Sequence, residues 1–173
     1  MKHEKLWRGS NCDLTQGKKY KIILMQESQI PQIAALEAAN FSAPWDEASI
    51  RGELENPLAL WLAAEGDAAE GEERPLLGYV GSQSCFEDAD ILNVCVRPEA
   101  RRRGLAEALM RELERRLIPK GIETITLEVR ASNLPAIRLY EKLGYSQVGT
   151  RKGYYEKPRE DALILQKQLK EDR

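Results

Sequence analysis

The chain has one histidine, three cysteines and an overall charge of -2 in 173 residues, and each scarcity removes a class of chemistry. The histidine, His3, stands in a polar terminal stretch. That position argues against Ser-His-Asp catalysis, HExxH zinc hydrolysis and histidine-ligated metals, so no metal is expected. Cys12, Cys85 and Cys95 form an odd set without CxxC spacing, which speaks against a disulfide framework and against a zinc knuckle. Acid-base work must then fall to carboxylate, tyrosine, lysine, cysteine or backbone groups. With a pI near 5.7 the chain lacks the basic field that direct nucleic-acid binding requires. No apolar run approaches the roughly 20 residues of a membrane span. The first twenty residues carry scattered charge instead of the apolar stretch of a secretory signal, so the expected location is the cytoplasm.

What remains is an ordinary globular composition, 42% hydrophobic and 31% charged, in a length that fits one compact domain. Residues 1–18 read as a flexible extension and 19–173 as the domain. Apolar alternation marks strands at 21–25, 58–64, 76–85, 90–96, 124–130, 146–152 and 161–168. Helical spacing marks 29–39, 46–55, 105–117 and 134–143. The stretch 66–75, rich in Gly, acid and Pro, reads as a solvated loop. The order βααβββαβαββ predicts an α/β (α+β) fold, with a mixed central sheet flanked by helices on both faces.

The most informative segment is VCVRPEARRRGLA, from Val94 to Ala106. An apolar strand ends, a proline turn follows, and Gly104 opens a helix. Backbone N–H groups in a first helical turn lack intrahelical acceptors and lie at the positive end of the helix dipole, a combination that suits phosphate or pyrophosphate. Gly104 permits close approach of a ligand to the backbone, and Arg101, Arg102 and Arg103 add positive charge. A solvated arginine run before a helix is the competing reading. The Lys-Ser/Thr pair of a Walker loop and the GxGxxG spacing are both missing.

These residues resemble the GNAT acetyltransferases, whose Q/R-x-x-G-x-G/A signature is matched by R-R-R-G-L-A. Further on, LEVRASNLPAIRLYEKLGY from Leu127 to Tyr145, together with ILNVCVRP, Tyr154-Tyr155 and EDALIL, is similar to the ribosomal-protein-alanine N-acetyltransferases within that superfamily. The resemblance covers the last half of the chain continuously, and Pro44-Trp45 is a weaker echo in the first half. Ala106 replaces a more usual glycine, and Arg101 stands where glutamine is frequent.

The resemblance implies acetyl-CoA as co-substrate. Main-chain groups of Val94, Cys95 and Val96 would hold the pantetheine arm, and Arg102, Arg103, Gly104, Leu105, Ala106 and Glu107 would wrap the pyrophosphate. Asn133 would add a contact; read alone, it is a helix N-cap before Pro135. Cys95 itself reads as inert strand packing. Glu128 would be the general base, against the alternative of a solvated strand face on which it alternates with Thr126 and Arg130. Tyr140 would be the general acid, against an amphipathic core tyrosine aligned with Ile137 and Leu143.

The implied acceptor is a protein N-terminus, the N-terminal alanine of a small-subunit ribosomal protein. An α-ammonium near pKa 8 is easier to deprotonate than a lysine near about 10.4. Pro44, Trp45, Tyr154 and Tyr155 are candidate walls of a peptide groove, with core or rim packing as the competing reading, and Arg151 and Lys152 are candidate attractors for acidic residues or, equally, a solvated strand end. Two other functions fit the same residues: acetylation of lysine, a polyamine or another small amine, and a CoA-binding sensor or docking module without turnover.

Overall fold

A computed structural model describes residues 20–169; the terminal extension, with His3 and Cys12, lies outside the described residues. Seven strands make a single sheet in the order β1-β2-β3-β4-β5-β7-β6. They are β1 (Tyr20–Leu24), β2 (Ala59–Gly66), β3 (Leu76–Cys85), β4 (Asp88–Val96), β5 (Thr124–Arg130), β6 (Ser146–Glu156) and β7 (Arg159–Gln168). The helices are α1 (Ile30–Asn40), α2 (Glu47–Glu55), α3 (Leu105–Leu117) and α4 (Leu134–Lys142). Every element expected from periodicity is present in that order, and β6 extends four residues beyond the expected end at 152.

Two apolar cores lie on the two faces of the sheet, so the expected mixed sheet with helices on both faces is the observed one. On one face Leu105, Leu109, Met110, Leu113 and Leu117 of α3 pack against Leu62, Val80, Ile125 and Leu127. The stripe repeats every three or four residues, which is why this helix lies flat on the sheet. On the other face Ile30, Ile33 and Leu36 of α1 and Ile50 of α2 pack against Trp61, Tyr79 and Leu76. Asp46 caps α2 by accepting from the Ser49 N–H at 2.8 Å.

The feature that positions the site is a fork between β4 and β5. Their parallel pairing covers only Asp88↔Thr124, Ala89↔Ile125 and Asp90↔Thr126. Directly beyond, the β3–β4 register jumps from Ser82↔Ile91 to Gly81↔Asn93, so Leu92 is the extra residue of a bulge. A bulge bends its strand and sharpens local twist, and here it carries β4 away from β5. Residues 91–96 keep β3 on one edge and have no strand on the other.

Candidate active site

The fork opens into a cleft of about 1800 Å³. Its walls include Val94, Cys95, Val96, Arg102, Gly104, Leu105, Ala106, Glu107, Glu128, Asn133 and Tyr140. Eleven of the twelve site residues expected from sequence therefore line one cavity. The twelfth, Arg103, is exposed in the turn before α3 and is not among the residues that line the cleft.

At one end of the cleft, the turn before α3 presents its amides. The first backbone bond of the helix runs from the Ala108 N–H to the Gly104 carbonyl at 3.0 Å, leaving the N–H groups of the preceding turn without intrahelical acceptors. Gly104 is left-handed, with φ 76°, and so is Arg102, with φ 61°. A left-handed arginine is uncommon, and the residue before it, Arg101, is extended; left-handed Gly104 followed by helical Leu105 turns successive N–H groups toward one concave nest for an anion. A Cβ on Gly104 would meet no protein atom within 4 Å, so the space above this backbone is open.

The three arginines do not act alike. Arg101, expected to add charge toward a pyrophosphate, donates through Nε to the Val96 carbonyl at 2.9 Å and through Nη2 to Asn40 Oδ1 at 2.6 Å. It brackets the end of β4 to the end of α1, because the chain reverses there and brings those acceptors within reach. The Glu107 carboxylate pairs with Lys142 at 2.6 Å and Arg111 at 3.0 Å, tying α3 to α4 beside the cleft. Asn133 caps α4, its Oδ1 accepting from the Ala136 N–H at 3.4 Å.

At the fork itself, Ile125, Leu127 and Val129 of β5 point into the core while Thr126 and Glu128 face the opening. Asp90 pairs with Thr126 and therefore rises from the same sheet face as Glu128. Burial, and then the Glu128 charge, push the Asp90 carboxyl above its ordinary value. Glu128 Oε1 is 2.7 Å from Arg151 Nε. The Tyr154 phenol is held above its usual value, first by its interaction with the Glu128 carboxylate and then by burial. Arg151 and Tyr154 reach the fork because β6 bulges: the register shifts between Arg151 and Tyr155, around Gly153 at φ 60°. Lys152 turns the other way and pairs with Asp161 at 2.8 Å, so it faces away from the cleft. Trp45, Tyr154 and Tyr155 line the cleft and Pro44 does not.

Tyr140 projects from α4 into the same cavity, packed edge-on against Tyr145 at 5.9 Å. Burial, with a smaller contribution from Tyr155, pushes its phenol up to about 12. It stays protonated at neutral pH, which suits a hydrogen-bond or proton donor. Among the described residues its hydroxyl has no hydrogen-bond acceptor. Cys95 is buried, and burial above all pushes its thiol up to about 11, as expected for an inert strand cysteine.

Two supports of the site were not singled out from sequence. Glu37, fully buried on α1, accepts from Tyr79, from Asn93 Nδ2 at 2.8 Å and from the Trp45 N–H at 3.1 Å, fixing the cleft wall at Trp45. Its signal was a carboxylate at i+7 from Ile30, on the core face. Arg130 donates to the carbonyls of Pro158 and Lys157 at 3.1 Å and pairs with Glu160 at 3.2 Å, and Glu160 in turn accepts from the Ser132 N–H. This network fastens the β6–β7 turn to the loop before α4. Among the described residues no helix is long and apolar enough to cross a membrane, and no group of metal-ligating side chains occurs.

Comparison with known proteins gives this architecture its context. Residues 28–145 match the acetyltransferase (GNAT) family. The [ribosomal protein bS18]-alanine N-acetyltransferase of Escherichia coli strain K12 is 34% identical over 82% of this chain and 92% of its own length. A Bacillus subtilis relative, provisionally assigned the same activity, is 39% identical over 82% of this chain and 90% of its own. The crystal structure of the ribosomal-protein-S18-alanine N-acetyltransferase from Escherichia coli superposes with a TM-score of 0.76 at 28% identity, covering 89% of this chain and 96% of that one. Anion nest, forked strands and family match agree, and the chain belongs to the GNAT family of acetyltransferases.

Proposed function

We propose that this protein acetylates the N-terminal α-amine of a protein, its substrate being the N-terminal alanine of ribosomal protein bS18. The observation that carries the proposal is the single cleft joining the α3 nest to Glu128 and Tyr140. The family's co-substrate, acetyl-CoA, carries a pyrophosphate, an extended amide-bearing arm and a thioester, and the cleft offers a counterpart to each. Backbone N–H groups of Arg102 to Glu107 would take the pyrophosphate, with the Arg102 side chain beside them. The unpaired edge of β4 at Val94, Cys95 and Val96 would take the arm as an added strand takes a sheet edge. Asn133, at the mouth of α4, would complete the contact. Bound there, acetyl-CoA supplies an activated acetyl group and a thiolate leaving group.

The residues of the chain would then do the following. Glu128 accepts a proton from the acceptor ammonium, directly or through a water, and frees the nitrogen lone pair for attack on the acetyl carbon. Backbone N–H groups of β4 polarise the acetyl oxygen. As the C–N bond forms and the C–S bond breaks, Tyr140 donates its hydroxyl hydrogen bond, or its proton, to the departing sulfur. A phenol pushed up to about 12 transfers a proton fully to a thiolate only uphill, so hydrogen-bond stabilisation dominates its role. The nitrogen loses two protons between ammonium and amide: the first, taken by Glu128, passes on to solvent, and the second, lost once the C–N bond has formed, balances the one gained by the thiolate. Support for an α-amine acceptor comes from its basicity, which is lower than a lysine's and so makes its deprotonation by a carboxylate less costly, and from the relatives' named activity.

The test is mass spectrometry of acetyl transfer to three acceptors: a peptide beginning Ala-Arg, an N-terminally blocked peptide with an internal lysine, and a free polyamine. Acetylation confined to the free alanine is the expected result. Preference for lysine or polyamine would overturn the substrate assignment, and tight CoA binding without transfer to any amine would overturn the enzymatic one.

A further inference from the structure

Glu128 does not stand alone at the fork. The Arg151 Nε lies 2.7 Å from Glu128 Oε1, and the same guanidinium lies 5.6 Å from the centre of the Tyr154 ring. Asp90 shares the sheet face with Glu128, and Arg151 is the cation that acts against the like-charge effect of Glu128 and Asp88 on it. The arrangement has the chemistry of a held base: a carboxylate paired with one guanidinium, a tyrosine beside it, and a second carboxylate on the same sheet face. Its construction is specific. The β6 bulge at Gly153 re-aims Arg151, and the Gly153 N–H is fixed by Asp161 Oδ1 at 2.8 Å.

We propose that Arg151 is a positioning residue for acetyl transfer, orienting the Glu128 carboxylate at the β4–β5 fork and offsetting the neighbouring charge of Asp90. The inference rests on the assignment of Glu128 as the proton acceptor. Arg151 touches Glu128 from β6 and is itself 58% exposed, so it can yield its place to an incoming ammonium without unfolding anything. In the free protein it keeps Glu128 from turning toward solvent, and as the acceptor arrives one cation replaces another. Without Arg151 the Glu128 carboxylate loses its paired cation while keeping the like charge of Asp90 on the same sheet face. The groups facing Glu128 are Asp90 from β4, Arg151, Tyr154 and Tyr155 from β6, and Arg130 on β5. Among them Arg151 alone pairs directly with its carboxylate through a cation.

The experiment measures kcat/KM against pH for an alanine-starting peptide at saturating acetyl-CoA, comparing the wild type with Arg151→Gln, Arg151→Lys and Glu128→Gln. Acetyl-CoA affinity is measured in parallel by calorimetry. An adjacent opposite charge moves a carboxyl by about 1–3 pH units, and exposure of this pair reduces that, so Arg151→Gln should displace the acidic limb upward by roughly 0.5–1 unit. Well below the limb this is about a 3- to 10-fold loss, closing on the plateau above it, with acetyl-CoA affinity unchanged. Arg151→Lys should recover most of the loss on the acidic limb. A rate lowered equally at every pH, or an unaltered profile, in Arg151→Gln would overturn the inference while leaving Glu128 in place. An unaltered rate in Glu128→Gln would overturn the base assignment, and with it the inference.

Discussion

Glu128, Tyr140 and Cys95 line the same cavity, and their surroundings predict three different responses to removal. Glu128→Gln keeps the side-chain volume and loses the proton acceptor, so turnover should fall by about 100-fold or more, most severely at low pH, while acetyl-CoA affinity stays near wild type. Tyr140→Phe keeps a ring that is only 8% exposed and removes a hydroxyl with no acceptor among the described residues, so stability should hold. Its kcat should drop by about 10- to 100-fold, read in single-turnover experiments that exclude product release. The sign of the pH effect follows from the raised phenol: a group pushed up to about 12 is protonated throughout the neutral range, so Tyr140 produces no alkaline decline below roughly pH 10. An alkaline limb near pH 8 that disappears in Tyr140→Phe would refute this placement of the proton. Cys95→Ala should leave kcat within about 3-fold, since a thiol pushed up to about 11 offers little thiolate for an acetyl-enzyme. Intact-mass analysis during turnover should show no acetylated protein.

At the scale of elements, α3 carries two separable duties, and one substitution addresses each. Gly104 sits at φ 76° with open space where a Cβ would project. Gly104→Ala should therefore cost only the left-handed penalty of about 1–2 kcal/mol in denaturant unfolding, yet weaken acetyl-CoA binding further, because the methyl group occupies ligand space. Equal acetyl-CoA affinity in the variant would remove this turn from the binding site. Along the helix, Glu114 receives Lys167 at 2.7 Å and the Tyr145 hydroxyl at 3.1 Å, joining α3 to β7 and to the end of α4. With exposures of 10% and 19%, the Glu114–Lys167 pair is largely but not wholly desolvated, so Glu114→Ala should cost about 1–3 kcal/mol of stability. The sequence made this helix legible through its apolar stripe, and α2 through its Asp46 cap. It did not disclose the bulges at Leu92 and Gly153, because a bulge depends on the partner strand's register, which no local pattern records. Those two bulges decide where the cleft opens and which way Arg151 and Lys152 point, and for that reason the sequence could not tell these two residues apart and Asp90 was overlooked. The bracing role of Arg101 was hidden on similar grounds: its acceptors, the Val96 carbonyl and Asn40, become neighbours only after α1 is placed.

The whole molecule is a sheet with two cores on opposite faces, divided along its length by the fork. On one side of it β1 to β4 are continuously paired; on the other, β5, β7 and β6 are. Between the halves only three residue pairs of β4 and β5 are joined, and the rest of the division is open cleft. A ligand seated along β4, with one end in the α3 nest and the other against Glu128, would contact both halves at once. Binding to the folded state alone stabilises it by mass action, about 2.7 kcal/mol at a free ligand concentration of 100 times Kd. For a domain of this size each kcal/mol shifts Tm by about 2–4 °C, so saturating acetyl-CoA should raise Tm by roughly 5–10 °C. Free CoA, which shares the pyrophosphate and the arm, should give nearly the same rise, and Gly104→Ala should reduce both at matched ligand concentration. Glu128→Gln and Arg151→Gln, at the acceptor end, should keep the full rise. A shift lost in the acceptor-end variants but kept in Gly104→Ala would mean that the ligand lies the other way round in the cleft, and the division of labour between nest and fork would have to be reversed.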